Sequence, residues 1–457
     1  MRSIDPAQAA PARRIPTAAV VMLSIGMVVG AGIFKAPAQA ADAAGSAYWL
    51  YAAWIAGGAL SLVGALCYAE LSTAFPHPGG DFHFLQRAYG RGVAFVFAWT
   101  RFTVINAGSA AFLGFVIGDY LNATPGLSLG PDGPAVYAAV SVLALTIYNL
   151  RGAWKSAGDY AVTGLEILGL AMLTCAALWL ALRGVPPLTD MAGPDLAAPP
   201  ASFGLSLVFV LLAFGGWSEM ATLSAEVKDA RRGMARALII SVLAITALYL
   251  MVNWAFLRGL GYAGLAGDDA PAATLMRAAF GPNTAWLIAI AVALAAITSI
   301  NATLIVGART TYAAARDYPA LRALARWDPA RGAPARATLA QGAISLALVG
   351  LGAWTRDGFA TLVDYTAPAF WFFLTLSALA VIILRRKHPD IPRPFKTPLY
   401  PWLPLLFAAA NAWVLISSLT YLASLPSVRI GAFVGIAVTG IGAALYLVLR
   451  RSGPAPD

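Results

Sequence analysis

The chain is a succession of apolar runs, each about 17 to 25 residues long and separated from the next by charged residues or by clusters of proline and glycine. A run of that length spans the hydrocarbon core of a bilayer as a helix. Only 11% of the residues are charged, compared with about 25% in soluble domains. The pattern predicts an all-α polytopic membrane protein with twelve transmembrane helices and no separate soluble domain. The predicted spans are 17–42, 45–72, 91–120, 134–150, 157–182, 203–227, 235–258, 283–313, 337–355, 360–384, 399–423 and 428–449.

The positions of the basic residues predict the orientation of these helices. The runs KDARR (228–232) and LRRKHPDIPRPFK (384–396) carry many of the 31 Lys and Arg residues. Cytoplasmic loops are enriched in Lys and Arg, so both termini are predicted to be cytoplasmic in a multi-pass protein of the inner, cytoplasmic membrane. The net charge of +10 is expected to face membrane lipids and the cytoplasm rather than nucleic acid.

Two of the predicted helices are interrupted by glycines near their middle. The first span contains Gly30 and Gly32 in SIGMVVGAGIFKAP, and the sixth contains Gly215 and Gly216 in FVLLAFGGWSEM. A single close glycine pair in a membrane helix usually marks a packing surface. These pairs lie at corresponding positions of two five-helix halves, which is typical of an inverted-repeat transporter with a central site. Unwound backbone offers amides to a carboxylate and carbonyls to an ammonium, so a zwitterionic amino acid would suit both breaks.

Five segments, in order along the chain, resemble a known family. They are GMVVGAGIF (26–34), CYAELSTAFPHPGGDFHFLQRAYG (67–90), AFGGWSEMATLSAEVKDARR (213–232), ARTTYAAARD (308–317) and LRRKHPDIPRPFKTPLYPWLP (384–404). The chain resembles the amino acid-polyamine-organocation (APC) superfamily permeases, in particular bacterial relatives of the L-type amino acid transporters. The resemblance implies a leucine-transporter-like five-plus-five inverted repeat with helices 1 and 6 unwound and two extra helices. The implied divisions are a cytoplasmic tail at 1–16, a first repeat at 17–182, a second repeat at 203–384, helices 11 and 12 at 399–449, and a cytoplasmic tail at 450–457.

The resemblance also implies a substrate site made of backbone groups. The amides around Gly30, Ala31 and Gly32 would hold the carboxylate of an amino acid. Many relatives have a serine at the position of Ala31 and an aromatic gate at the position of Leu212, so those side-chain contacts are missing here. The carbonyls expected to hold the ammonium are near Val28, Leu212, Ala213 and Gly215, and gate or pocket roles are expected of Phe214, Trp217 and Ser218.

Glu166 is predicted to lie inside the membrane, in the fifth span. Intramembrane acids usually mark ion or proton pathways, and the alternative is an acid that only ties helices together. In sodium-independent relatives a lysine often occupies this part of the helix. Glu166 could hold a proton, or could bind Na⁺ together with the hydroxyls of Thr298 and Ser299. The sequence leaves the coupling ion open.

Arg101 is the other deep charge, and its guanidinium needs acceptors. Glu166 and Glu219 are its candidate partners, in an intramembrane ion pair that serves either structure or substrate contact. Glu219 directly follows the sixth-span break and is expected to be a gate partner or the start of a second half-helix. Lys35 is expected to snorkel to the interface and Glu70 to face the cytoplasm, since both lie near the ends of their spans.

No catalytic, metal or cofactor motif is present in the sequence. His77 and His83, six residues apart, lie within the predicted re-entrant or interfacial turn 76–84 and have no metal-ligand spacing. The predicted function is secondary active transport of amino acids by alternating access, for neutral substrates with H⁺ coupling. The alternatives are a Na⁺-coupled or exchange-mode amino acid or polyamine transporter, an intramembrane enzyme, or a non-transporting sensor. No obligatory protein partner is expected, because Cys67 and Cys175 lie in apolar runs and offer no external thiol.

Overall fold

The structure is a computed structural model that describes most of the chain. Some side chains within the described helices, among them that of Glu166, lie outside the description. The described residues are 17–77, 79–151, 159–193, 198–219, 230–316, 318, 321–328, 333–424 and 430–452.

The described residues up to Leu182 form eight α-helices. A 3-10 helix at Ala31–Phe34 separates α1 from α2, and a π-helical segment at Arg101–Asn106 joins α5 to α6. Ser46 caps the start of α3, where its hydroxyl accepts a hydrogen bond from the amide of Trp49. The helices are α1 Thr17–Val28, α2 Ala36–Ala44, α3 Ala47–Ala74, α4 Asp81–Tyr89, α5 Arg91–Thr100, α6 Ala107–Asn122, α7 Gly133–Leu150 and α8 Asp159–Leu182.

The described residues from Phe203 onward form nine more α-helices. A 3-10 turn at 217–219 follows α9, and another precedes α13. In the ranges that the structure describes there is no β-strand, and the only β-type pairing is an isolated bridge between Asp328 and Ala333. The helices are α9 Phe203–Ala213, α10 Ala230–Leu260, α11 Tyr262–Leu265, α12 Pro271–Phe280, α13 Ala285–Arg316, α14 Ala335–Thr355, α15 Gly358–Lys387, α16 Trp402–Ser424 and α17 Ile430–Ser452.

The all-helical prediction is confirmed, and nine helices of the described chain are long and apolar enough to cross a membrane. They match nine of the twelve predicted spans within a few residues. Two shorter apolar helical stretches, Ile167–Leu182 and Phe203–Ala213, lie within the fifth and sixth predicted spans. The first predicted span is divided between α1 and α2. The count of twelve and the inverted repeat therefore stay predictions.

Two short helices mark the opposite ends of the bundle. Helix α4 packs against α5 and α15 where α3 ends, and α12 packs against α8, α10 and α13 where α8 and α10 end. We call these the α4 end and the α12 end. Between them, the interrupted first span packs against α6, α10 and α13, so the first break lies among these helices.

The segment 76–84 was expected to be a turn throughout, and this is wrong from Asp81 onward. Helix α4 begins there and ends before Gly90, whose φ of +91° suits glycine. The reason is amphipathic spacing, because Phe84, Leu85 and Ala88 share one buried face.

Candidate functional site at the two helix breaks

The first break lies between Val28 and Ala36. Helix α1 ends at Val28, Gly30 is extended with φ −98° and ψ −173°, and the 3-10 helix then runs to Phe34. In the described chain, the amides of Ala31 and Gly32 donate no backbone hydrogen bond. A helix break leaves such groups without intrahelical partners, so these two amides are available to an acceptor.

The two glycines of this break differ in the space beside them. A Cβ added to Gly30 would lie 3.1 Å from the Ser299 Oγ of α13, whereas a Cβ added to Gly32 would have no atom within 4 Å. Gly30 therefore allows close packing of α13, and Gly32 borders open space. That space is next to the amides available to an acceptor.

The second break follows α9, which ends at Ala213. The Gly215 amide donates to the Leu212 carbonyl at 2.9 Å, Gly216 has a φ of +109°, and the Glu219 amide donates to the Gly216 carbonyl at 3.0 Å. The positive φ is one that residues with a side chain rarely adopt. The side chains of three residues predicted for the gate or pocket are buried here: Phe214, Trp217 and Ser218.

A cavity lies beside the second break. Its wall includes the glycines of the break and aromatic side chains of α15, and none of its lining residues is charged. The lining residues are Ser61, Leu211, Gly215, Gly216, Trp217, Ser218, Phe370, Trp371, Leu374, Phe407 and Asn411. The cavity therefore offers no charged partner to a group that enters it.

The two breaks meet at Tyr249 of α10. The Tyr249 hydroxyl lies 3.0 Å from the carbonyl oxygen of Val28 and 3.0 Å from that of Ala213. Both are the last residues of their helices, so both carbonyls carry the partial negative charge of a helix C-terminus. The structure thus brings together Val28 and Ala213, which the sequence reasoning grouped. The sequence alone did not point to Tyr249, because a tyrosine in an apolar run carries no signal of its own.

The predicted ion-coupling residues are only partly described. Ser299 lies against the first break, beside Gly30. The Thr298 hydroxyl instead donates to two carbonyls of its own helix, that of Ala295 at 2.8 Å and that of Leu294 at 3.2 Å. The side chain of Glu166 lies outside the described residues. The structure therefore gives Ser299, and not Thr298, a contact with the break.

On the α4 side of the breaks lies a charged cluster. Arg101, the first residue of the π-helical segment, forms an ion pair with Glu219. Asp81 accepts hydrogen bonds from Tyr68 at 2.5 Å and from Ser377 at 3.1 Å. Burial raises the pKa of Asp81 to about 6, while the Tyr68 hydrogen bond and the Arg101 charge act in the opposite direction. π-Helical turns often occur at functional sites, and this one places Arg101 beside the second break.

On the α12 side lies a second charged cluster, around Lys35. The Lys35 ammonium pairs with Asp119 of α6 and with Asp269, at 3.0 Å, and lies 5.4 Å above the ring of Phe359. Lys35 was expected to snorkel, and this is wrong, because its side chain is only 3% exposed. The partners are distant in sequence, and the sequence reasoning did not pair them.

Glu70 was expected to face the cytoplasm, and this is also wrong. It is buried and accepts two hydrogen bonds from Arg385, at 2.6 and 2.7 Å, and one from the Thr397 amide at 2.7 Å. The Arg385 guanidinium stacks on Tyr400 at 3.8 Å. The reason is that the segment after α15 folds back over the end of α3 and covers the carboxylate.

His77 and His83 stack with their rings 4.1 Å apart. Burial lowers the pKa of His83 to about 4, with smaller effects from the charges of His77 and Arg87. No group of three or more potential metal-binding side chains occurs among the residues that the structure describes.

These features define a class: a multi-pass helical membrane protein with two interrupted helices that meet inside the bundle and present backbone amides and carbonyls rather than a catalytic constellation. The chain belongs to the amino acid permease family, whose family model matches residues 15–446. The resemblance to the APC superfamily is thereby confirmed.

The most similar relatives are themselves amino acid transporters and not enzymes. The rabbit (Oryctolagus cuniculus) large neutral amino acids transporter small subunit 2 is 28% identical over 405 residues, which is 86% of this chain and 74% of the relative. The human b(0,+)-type amino acid transporter 1 is 25% identical over 400 residues, 87% of this chain and 80% of the relative. The serine/threonine exchanger SteT of Bacillus subtilis (strain 168) is 26% identical over 404 residues, 87% of this chain and 89% of the relative.

Proposed function

We propose that this protein is a secondary active transporter that moves neutral amino acids across the cytoplasmic membrane by alternating access. The observation that carries the proposal is the meeting of two broken helices at one point. The carbonyls of Val28 and Ala213 lie 3.0 Å from one hydroxyl, while the amides of Ala31 and Gly32 make no backbone hydrogen bond in the described chain. Hydrogen-bond acceptors and donors at these two breaks suit the two charges of an amino acid.

In this proposal the amides of Ala31 and Gly32 bind the carboxylate and the carbonyls of Val28 and Ala213 bind the ammonium. Gly30 allows the close approach of α13, and Gly32 leaves room for the substrate. The carbonyls near Leu212 and Gly215 complete the predicted set of acceptors for the ammonium. The Leu212 carbonyl already accepts a hydrogen bond from the Gly215 amide.

The substrate side chain is proposed to enter the uncharged cavity beside Gly216. Phe214, Trp217 and Ser218 border this region, and the cavity wall adds Phe370 and Trp371. A cationic or anionic side chain would lose its hydration there without gaining an opposite charge, which favours neutral amino acids. Two relatives are named for transport of large neutral amino acids and for serine/threonine exchange, which is consistent with that choice.

The two charged clusters are proposed to be the gates. Lys35 with Asp119 would close the α12 side, and Arg101 with Glu219 the α4 side. Alternating access requires that one gate opens while the other gate stays closed. The basic segment 384–396 begins at the α4 end, where Lys387 donates to the Ala88 carbonyl, and the run KDARR (228–232) overlaps the start of α10 in the sequence. We therefore propose that the α4 end and both termini are cytoplasmic.

The coupling ion is proposed to be a proton carried by Glu166. Exchange is a second candidate, favoured by the printed name of the Bacillus relative, and Ser299 at the first break would allow a Na⁺ contact. We also propose that residues 17–182 and 203–384 form the two inverted repeats. The protein is proposed to work without a protein partner.

The test is uptake by purified protein in proteoliposomes supplied with a labelled mixture of the common amino acids and putrescine. Imposed pH and Na⁺ gradients are applied separately, and an internal load of unlabelled amino acids tests exchange. We expect accumulation of neutral amino acids with an inward proton gradient. Absence of uptake in every condition by folded, inserted protein would contradict the proposal.

Glu166→Gln tests the coupling within the same assay. The variant keeps the shape of the side chain but cannot release a proton, so we expect substrate binding to remain and the stimulation of uptake by a pH gradient to fall to about one. Full pH stimulation in Glu166→Gln would contradict the role of Glu166, and stimulation by Na⁺ alone in the wild type would replace the proton with sodium.

A further inference from the structure

Helix α15 carries a buried acid within its apolar span. Asp364 is 3% exposed and lies less than two turns from the start of the helix, near Phe359, whose ring is 5.4 Å from the Lys35 ammonium on the α12 side. Among the residues that the structure describes, no hydrogen bond or ion pair reaches the Asp364 carboxyl group. An ionised carboxylate is costly in such surroundings unless a cation or hydrogen-bond donors accompany it. The neutral carboxylic acid is the form that suits this position.

Asp364 lies on the face of α15 that packs against α16. It shares that face with Trp371, because residues seven positions apart in a helix are separated by about two turns. Trp371 lines the cavity beside the second break together with Asn411 of α16. Helices α15 and α16 are consecutive, pack together and run in opposite directions. Two turns from the cavity toward the α12 end, the residue of α16 at the level of Asp364 is therefore Ser418.

Two hydrogen-bond donors of the same interface are also without a partner in the described part of the chain. They are the Ser418 hydroxyl and the Trp371 indole N–H, and both residues are buried. Native proteins leave few buried polar groups unpaired, so each case calls for an explanation. A neutral carboxylic acid can donate to a hydroxyl and accept from it, whereas a carboxylate can only accept. The polar groups between α15 and α16 are therefore compatible with a protonated Asp364.

In the described chain, the helices around Asp364 supply no cation to it. Helices α9 and α16 contain no Asp, Glu, Lys, Arg or His, and the charged residue nearest to Asp364 along α15 is Asp357, another acid. Arg429, between α16 and α17, lies outside the described residues. Elsewhere around α15, charged groups pair with one another rather than with Asp364. These pairs are Lys35 with Asp119, Arg101 with Glu219, Arg385 with Glu70, Arg356 with Asp132, and Tyr68 with Asp81.

We propose that Asp364 is a proton-binding site within the membrane, separate from Glu166, that holds its proton while α15 packs against α16. When the O–H bond of the acid breaks, the proton passes to water and a carboxylate remains, which requires hydration. The ionised form therefore favours separation of α15 from α16 near the α12 end, and the pH on that side controls how readily this end opens. The site depends neither on the substrate nor on the coupling ion of the proposed function.

The first experiment is infrared spectroscopy of the purified full-length protein in lipid nanodiscs at pH 8. A protonated carboxylic acid has a carbonyl stretch above the amide bands, which a carboxylate lacks. Asp81, whose pKa is about 6, is ionised at this pH and does not contribute. We expect the wild type to show the carboxylic acid band, the band to shift in D₂O because the proton exchanges with water, and Asp364→Asn to lose it.

The second experiment compares the melting temperatures of the wild type and Asp364→Asn between pH 7 and pH 9. If the folded protein keeps a proton on Asp364 that the unfolded chain releases, stability falls as the pH rises. Asparagine cannot ionise, and the other titrating groups are common to both proteins. We expect the melting temperature of the wild type to fall by about 3 °C more than that of the variant.

The matched control is Asp132→Asn, which makes the same chemical change at an acid that is 77% exposed and pairs with Arg356. This control should keep the carboxylic acid band and the wild-type dependence of the melting temperature on pH. Glu166→Gln distinguishes the two proposed proton sites in the same spectra.

Three results would overturn the proposal. A wild type without the band at pH 8 would mean that Asp364 is ionised and paired with a cation. A band that Glu166→Gln removes and Asp364→Asn keeps would assign the proton to Glu166 alone. If Asp364→Asn does not fold, Asp364→Glu replaces it, and a band that does not shift in this variant would show that the acid is elsewhere. None of these measurements uses uptake, so failure of the proposed function would leave the Asp364 site untouched.

Discussion

The two breaks are built alike but are anchored differently. Each contains a 3-10 turn with a charge at its end: Lys35 directly follows the first turn, and Glu219 is the last residue of the second. Both charges pair with the span made of α5, the π-helical segment and α6, which offers Asp119 to Lys35 and Arg101 to Glu219. The Asp119 side chain is 12% exposed, whereas that of Glu219 is 29% exposed. One continuous span therefore holds both breaks, and holds the first in the more enclosed ion pair.

This difference indicates which gate opens more readily. Water competes with a partly exposed ion pair more effectively than with a buried one. Glu219 is the more exposed acid and lies on the α4 side, so we expect the second break to be released at lower cost than the first. Because the α4 end is the proposed cytoplasmic end, we expect the protein to open more readily toward the cytoplasm.

The largest expected effect comes from removing the charge that anchors the first break. Lys35→Met would leave the enclosed carboxylate of Asp119 without its cation, and breaking a buried ion pair in this way costs about 3–5 kcal/mol. Glu219→Gln should cost less, about 1–2 kcal/mol, because glutamine can still accept from Arg101 and Asp81 also acts on the Arg101 charge. The measurement is thermal unfolding in detergent of both variants.

A greater loss of stability in Glu219→Gln than in Lys35→Met would reverse the comparison. The exposed pair of Arg356 and Asp132, whose side chains are 69% and 77% exposed, provides the control. Arg356→Met should change the free energy of unfolding by less than about 1 kcal/mol.

A smaller effect is expected from the backbone of the second break. Gly216 has a φ of +109°, and a side chain in that region costs on the order of 1–3 kcal/mol. Gly216→Ala should therefore lower the melting temperature, whereas Gly32→Ala in the first break, with no atom near the added Cβ, should not. Equal melting temperatures for the two variants would show that the second break does not need this conformation.

The sequence predicted the helices and the breaks because both follow from local pattern. Bilayer thickness fixes the length of an apolar run, and the glycines at 30, 32, 215 and 216 stand out within such runs. The ion-pair partners of the buried charges could not be predicted in the same way. Lys35 finds its two acids 84 and 234 positions away in the sequence, and only packing of the whole bundle brings them together.

The same reasoning explains why Tyr249 and Glu70 were missed or misjudged. Tyr249 lies in the apolar run of α10, where an aromatic residue usually only packs, and its role depends on two helix ends contributed by other spans. Glu70 lies near the end of α3, and its burial depends on Arg385, 315 residues away. Of the predicted charged pairs, Arg101 with Glu219 was one of two options that sequence reasoning left open.

A further effect concerns pH at the α4 side. Burial raises the pKa of Asp81 to about 6, so the folded protein binds a proton more tightly than the unfolded chain. The stability that this proton contributes is present below about pH 4 and is lost as pH rises through 6, by roughly 1 kcal/mol per pH unit.

Asp81→Asn should remove that part of the pH dependence, while its side-chain oxygen can still accept from Tyr68 and Ser377. The measurement is the melting temperature between pH 4 and pH 7.5 for the wild type and the variant. Parallel curves for the two proteins would contradict the raised pKa of Asp81.

Equilibrium binding to Gly32→Val tests directly whether an amino acid binds between the two breaks. The valine would fill the open space beside the Ala31 and Gly32 amides without contacting a protein atom through its Cβ. Gly350→Val is the matched control, since a Cβ there also has no atom within 4 Å but lies on α14, away from the breaks. We expect Gly32→Val to keep the wild-type melting temperature and to bind labelled L-leucine and L-serine more than a hundredfold more weakly, while Gly350→Val binds both normally. Wild-type affinity in a folded Gly32→Val protein would show that the amino acid does not bind at the first break.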